Sequence, residues 1–279
     1  MSSEPGVSAP GPVAEAGAAD LLIVADPADE VAAEVAGYVG EHGRTALVVD
    51  VFDAAQLFTV SVRDGVAEVE PDRPLLLRLP SPPSPRISFD AEFQYNECLA
   101  QLWAAAALMT SPVVNRPSAY PAGGRTSPSA ALTELRADEE QGGVEVFTSK
   151  YPVPGTPEGE RLWVEDLGTL RTSPWPERPA GAGPYRARWS DADPAFEMVV
   201  VLSGRAWRCT TADLGHLGLE ERSVAVAAAL DLDLAAIVWR VTEDAGRARL
   251  VNVEPFPGLE QLRMVWLGFG PRLLEVLFP

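Results

Sequence analysis

The stretch from Ala229 to Gly258 constrains the fold more than any other part of the chain. Glu220 to Leu230 reads as a helix that leads into two apolar strands, Ala235–Val241 and Arg249–Val253. A Pro255-Phe-Pro-Gly258 turn closes the second strand. Upstream, Phe196 to Leu202 and Arg205 to Thr210 flank Ser203-Gly204, the signature of a two-residue hairpin. An apolar helix over residues 259 to 278 follows, with a break expected at Gly268-Phe-Gly-Pro271. Residues 191–279 therefore read as a C-terminal α+β unit built on an antiparallel sheet.

The chain opens in a different style. Leu21-Leu-Ile-Val-Ala25 is a continuous apolar run of the kind that forms a strand buried on both faces. Val31, Val35 and Val39 recur at helical spacing, and His42-Gly43 stops that helix. Thr45–Val49 is the next strand, so the opening is a βαβ unit. Phe58–Val62 and Gly65–Val69 read as a hairpin, and Leu75–Leu79 as a further strand. A helix over 88–110 takes its apolar face from Phe93, Leu99, Leu102, Trp103, Ala106 and Ala107. Residues 20–117 thus form an N-terminal Rossmann-like α/β unit. Residues 1–19 are rich in Ser, Pro, Gly and Ala and read as a disordered tail. Residues 118–190 form a reduced central unit with a helix at 127–140, strands at 144–147 and 161–165, and a long loop at 173–184.

Composition narrows the partners. A net charge of −18 argues against nucleic acid, because phosphate neutralisation needs surplus Lys and Arg. Lys150 is the only lysine among 22 basic residues, which excludes any mechanism that needs two. Cys98 and Cys209 lie in unrelated contexts and read as free thiols in a reducing compartment. No apolar run is long enough to span a bilayer, and the N-terminus lacks a basic targeting region, so a cytoplasmic location is expected.

The closing stretch resembles the signature of the ATP-grasp ligases, especially those that modify ribosomal peptides or build peptide-like natural products. In that family a strand carries an Asp, and the next strand ends in Glu-x-Asn-Pro-x-Pro-Gly. Here Val238 stands at the Asp position, Asn252 at the Glu and Glu254 at the Asn. The resemblance implies an ATP-grasp-like fold, α/β and α+β, with ATP and Mg²⁺ as cofactors and carboxylate–amine ligation as the activity. The altered residues weigh against both cofactors and activity. They favour a binding or accessory protein for a peptide, a small carboxylate ligand or a biosynthetic partner enzyme. The alternative is an active peptide ligase with a rearranged metal site.

The resemblance also implies candidate residues. Glu254 and Asn252 alternate on one strand and can share one ion, or can instead hydrogen-bond the Pro255–Gly258 turn. Of the family's two phosphate-binding lysines, one aligns near Arg125 and the other near Glu165, which reverses the sign of the charge. Lys150 is the replacement candidate for a phosphate contact; its alternative is a solvated residue near a strand end. Arg171, Arg178, Arg186 and Arg188 form a cluster suited to bidentate anion binding, or to ordinary surface charge. His42 and His216 read as capping or surface histidines, and Asp231 and Asp233 as helix-terminating residues. Trp266, Phe269 and Phe278 on the closing helix suggest a homodimer surface.

Overall fold

A computed structural model describes residues 18–78, 89–117, 144–147, 160–166, 172–174, 185–191, 195–210, 217–242 and 247–279. The chain divides into two compact units, residues 1–118 with 270–279, and residues 119–269. The helix expected at 127–140 lies outside the described residues.

In the first unit, β1 (Leu21–Val24), β2 (Ala46–Val49), β5 (Leu75–Leu77) and β6 (Val113–Val114) form a parallel sheet in the order β2-β1-β5-β6. Every residue of β1 is buried, as its unbroken apolar run requires. Leu22, Val24, Leu75 and Leu77 share one face with a core drawn from α2 (Val51–Leu57) and α3 (Phe89–Leu108). Each such side chain contributes about 1.5–3 kcal/mol on burial. The other face is covered on the side of α1 (Glu30–Glu41), which packs against β1 and β2 through a stripe including Val31, Val35 and Val39. Asp29 caps α1 by accepting from the Ala32 amide at 3.0 Å. His42 ends it, and Gly43 follows at φ +75°.

Two expectations change here, and the expected hairpin is present. A helix, α2, follows β2 directly; Asp50 caps it by accepting from the amides of Phe52 and Asp53. Strands β3 (Thr59–Arg63) and β4 (Val66–Glu70) form their own two-stranded sheet, joined by Asp64 and Gly65 at φ 53° and 79°. On α3, Phe93 is 59% exposed and Ala107 is also exposed, whereas Tyr95, Ala105 and Met109 are buried beside Leu102 and Ala106. The apolar stripe is rotated from the expected one.

In the second unit, β7 (Val144–Phe147), β8 (Glu160–Asp166), β9 (Thr172–Pro174) and β10 (Tyr185–Asp191) form an antiparallel sheet in the order β7-β10-β8-β9. A second antiparallel sheet has the order β12-β11-β13-β14, from β11 (Ala195–Leu202), β12 (Arg205–Arg208), β13 (Leu234–Thr242) and β14 (Arg247–Glu254). Ser203 and Gly204, at φ 46° and 78°, make the expected hairpin turn. Helix α4 (Leu219–Ala229) packs on this sheet, with Val226 and Ala227 against Val199, Val201, Ile237 and Trp239.

The closing helix, α5 (Leu259–Leu277), runs unbroken through Pro271. Pro271 lacks the amide that would serve the Leu267 carbonyl, but both residues are exposed, Leu267 to 97%, so water can satisfy that group. Two glycines admit aromatic rings along the helix. A Cβ on Gly268 would lie 2.3 Å from the Trp207 indole nitrogen, and one on Gly270 would lie 2.9 Å from Cζ of Tyr38. Of the residues expected at a dimer surface, Phe269 is buried in its own chain, where it packs against Trp207 and Trp266. Phe278 lies under the Arg44 guanidinium, 4.0 Å from its ring centroid. Among the described residues, no helix is long and apolar enough to cross a membrane.

Candidate functional site

Strands β13 and β14 set the geometry of the closing signature. Ala236 faces Glu254, Ile237 faces Val253 and Val238 faces Asn252. The register then shifts, so that Trp239 faces Leu250 and Val251 is the extra residue of a bulge. Ile237, Trp239, Leu250 and Val253 belong to the core under α4. Val238 and Glu254 alternate with them and fall on the opposite face, and Asn252 is the register partner of Val238.

The α4 side holds this pair of strands firmly. The Trp239 indole N–H donates to Ser223 Oγ at 2.8 Å in a fully buried contact. Arg222 lies over the same indole, 4.3 Å from its centroid, and donates to the Ala248 carbonyl at 2.9 Å.

Glu254 occupies the opposite face. Glu254 is half-buried, and its Oε2 accepts from Gln261 Nε2 at 3.4 Å. Gln261 Oε1 in turn accepts from the Gly258 amide at 2.7 Å. Glu254 is thereby linked to the Pro255–Gly258 turn through one intermediary, the role weighed against metal binding from the sequence. Gln261, seven residues away and without a carboxylate, gave no signal in the sequence. The main-chain carbonyl of Gln261 also accepts from Cys209 Sγ at 3.8 Å. Burial, then the neighbouring Glu197 carboxylate, pushes the Cys209 thiol up to about 11, so it remains protonated at neutral pH. Glu197 is itself buried and accepts from the Thr210 hydroxyl. Both cysteines are free thiols, as expected.

A magnesium ion on hard oxygen ligands calls for carboxylates in addition to ATP phosphates. The described residues do not fit such a site. Val238 brings a hydrocarbon to the position where the resemblance implies Asp, and the carboxylate of Glu254 belongs to the pair with Ala236, two residues along. Among the described residues, no group of three or more His, Cys, Asp and Glu can hold a metal.

The remaining candidates are dispersed. Arg125, Lys150, Arg171, Arg178 and His216 lie outside the described residues. Arg186 and Arg188 both fall on β10, two apart and therefore on one face. Arg186 is the cross-strand partner of Glu165 on β8, which places the sign-reversed position directly opposite an arginine. His42 is a capping residue whose Nδ1 lies 2.8 Å from the Tyr38 carbonyl. Asp231 follows α4 at φ 55°, and the Asp233 carbonyl accepts from the Ser203 amide at 2.7 Å; both serve the chain's turns.

No family model matches the sequence, and no curated protein matches it significantly. Solved structures do match. The ATP-grasp ligase PsnB, complexed with its precursor peptide PsnA2 and AMPPNP, shares 14% identity at a TM-score of 0.59, over 93% of this chain and 96% of that one. The macrocyclase MdnC from Microcystis aeruginosa MRC, bound with precursor peptide MdnA, shares 12% at 0.60, over 93% and 99%. A RimK domain ATP-grasp protein from Sphaerobacter thermophilus DSM 20745 shares 13% at 0.51, over 93% and 100%. The chain has an ATP-grasp-like fold, and its structural neighbours include peptide ligases of natural-product biosynthesis.

Proposed function

We propose that this chain is an ATP-grasp-fold protein whose ATP and magnesium site has eroded, acting as a binding or accessory protein in the biosynthesis of a peptide-derived natural product. One observation carries the reading: the rung where Val238 faces Asn252, beside a Glu254 engaged by Gln261. Two neighbours, PsnB and MdnC, are solved with precursor peptides, which supports a peptide as the ligand class. Calorimetric titration with MgATP is the test. No binding heat is expected at micromolar protein, and micromolar, magnesium-dependent binding would overturn the proposal.

The competing reading is an active carboxylate–amine ligase with a rearranged metal site. The observation in its favour is that Glu254 is retained on the face of the sheet away from α4, and that PsnB is also solved with Mg and ADP. That reading requires ADP release in the presence of a carboxylate and an amine, and a loss of that release in Glu254→Gln.

A further inference from the structure

The carboxyl edge of the parallel sheet holds a group that the nucleotide question leaves untouched. In the order β2-β1-β5-β6, the connection from β1 through α1 leads to β2 on one side. The connection from β5 through α3 leads to β6 on the other. The crossovers therefore diverge beyond the ends of β1 and β5. Open α/β sheets leave a ligand crevice at such a point.

Arg78 sits at that point. Its amide donates to the Val24 carbonyl at 2.9 Å, which fixes it beside the last residue of β1. Its Nε donates to Asp29 Oδ2 at 2.7 Å, while Asp29 Oδ1 caps α1, so the guanidinium is held at the first turn of a 12-residue helix. Arg78 is only 8% exposed, and its Nη1 is buried with no hydrogen-bond partner among the described residues. Leaving a buried donor unsatisfied is costly, and native structures rarely do so without a reason. Two features thus converge on one place: an unfilled guanidinium N–H and the amide end of α1.

We propose that this crevice is a carboxylate-binding subsite, in which Arg78 Nη1 and the first-turn amides of α1 receive the free carboxylate of an amino acid or peptide. The local charge selects a monoanion. Asp29 already offsets the charge of Arg78, and Asp26 and Glu30 flank the same edge. What remains is one donor plus roughly half a positive charge at the helix end. A phosphate dianion would be under-neutralised there. This subsite goes beyond the nucleotide reading and holds whether or not ATP binds.

The test follows the arginine Nε–Hε signals of the ¹⁵N-labelled full-length chain during titration with sodium acetate, against sodium chloride at matched ionic strength. The Arg78 signal is identified by its loss in Arg78→Lys and, independently, by its shift in Asp29→Asn. It is expected to move saturably with acetate and not with chloride. The apparent acetate affinity, read by thermal shift, is expected to fall about tenfold in Arg78→Lys, because an ammonium lacks the guanidinium fork. A non-saturating drift or an equal response to chloride would overturn the proposal. So would inorganic phosphate saturating the signal at lower concentration than acetate. The wild-type titration decides the matter even if a variant fails to fold, and it contains no nucleotide.

Discussion

Asp29 in the first unit and Glu254 in the second make an instructive pair. Each is an acid at a strand-to-helix junction, just before or within reach of the first turn of a helix. Asp29 is bound on one oxygen by a helix amide and on the other by a buried arginine. Glu254 is met by the neutral amide of Gln261 at a long 3.4 Å. One carboxylate is thus part of the fold's charge balance, and the other is bound to the neutral amide of a neighbouring helix. A fold can preserve the frame around a reactive position while the strong electrostatics lie elsewhere.

That contrast can be broken by mutation. The largest effect is expected from Asp29→Ala, which removes the cap of α1 and leaves the buried Arg78 uncompensated. A loss of about 3–5 kcal/mol in urea unfolding is expected. Gly268→Ala should follow, at about 1–3 kcal/mol, since the added methyl meets the Trp207 indole. It is read by the same assay, and by loss of the Trp207 environment in near-UV dichroism.

Asp72→Asn should cost about 1 kcal/mol at neutral pH. Burial raises the Asp72 pKa, but hydrogen bonds from Thr110 and Ser111 outweigh it, so the net shift is downward from 3.8. The stabilisation from this group is therefore complete above its unfolded value of 3.8 and lost as pH falls through its lower folded value. The wild type should show an acid-dependent decline in that window that the Asn variant lacks. Glu254→Gln is expected to be the mildest, within about 0.5 kcal/mol. A loss comparable to that of Asp29→Ala would dissolve the comparison.

Much of this architecture was legible before any coordinates. The buried run at Leu21–Val24, the capped helix after it and the two hairpins follow from periodicity and turn chemistry that act over a few residues. Helix α2 escaped because seven residues carry too little period to see. The stripe on α3 was misplaced because Phe93 is apolar yet points away from the core, a matter of tertiary packing rather than of pattern. Pro271 looked like a break because the sequence cannot say that Leu267 faces water. At the candidate site, the alternation of Asn252 and Glu254 was readable from strand period, whereas Gln261 was not. The Arg78–Asp29 contact spans 49 residues and left no local trace.

The bulge at Val251 belongs to the main chain, and it fixes which side chains confront one another whatever their chemistry. Exchanges at Val238, Asn252 and Glu254 leave that confrontation intact. Valine and aspartate codons differ by one base, so a carboxylate at position 238 is a single mutational step away. A substitution at this position therefore changes which groups meet across the strands without requiring the sheet to refold.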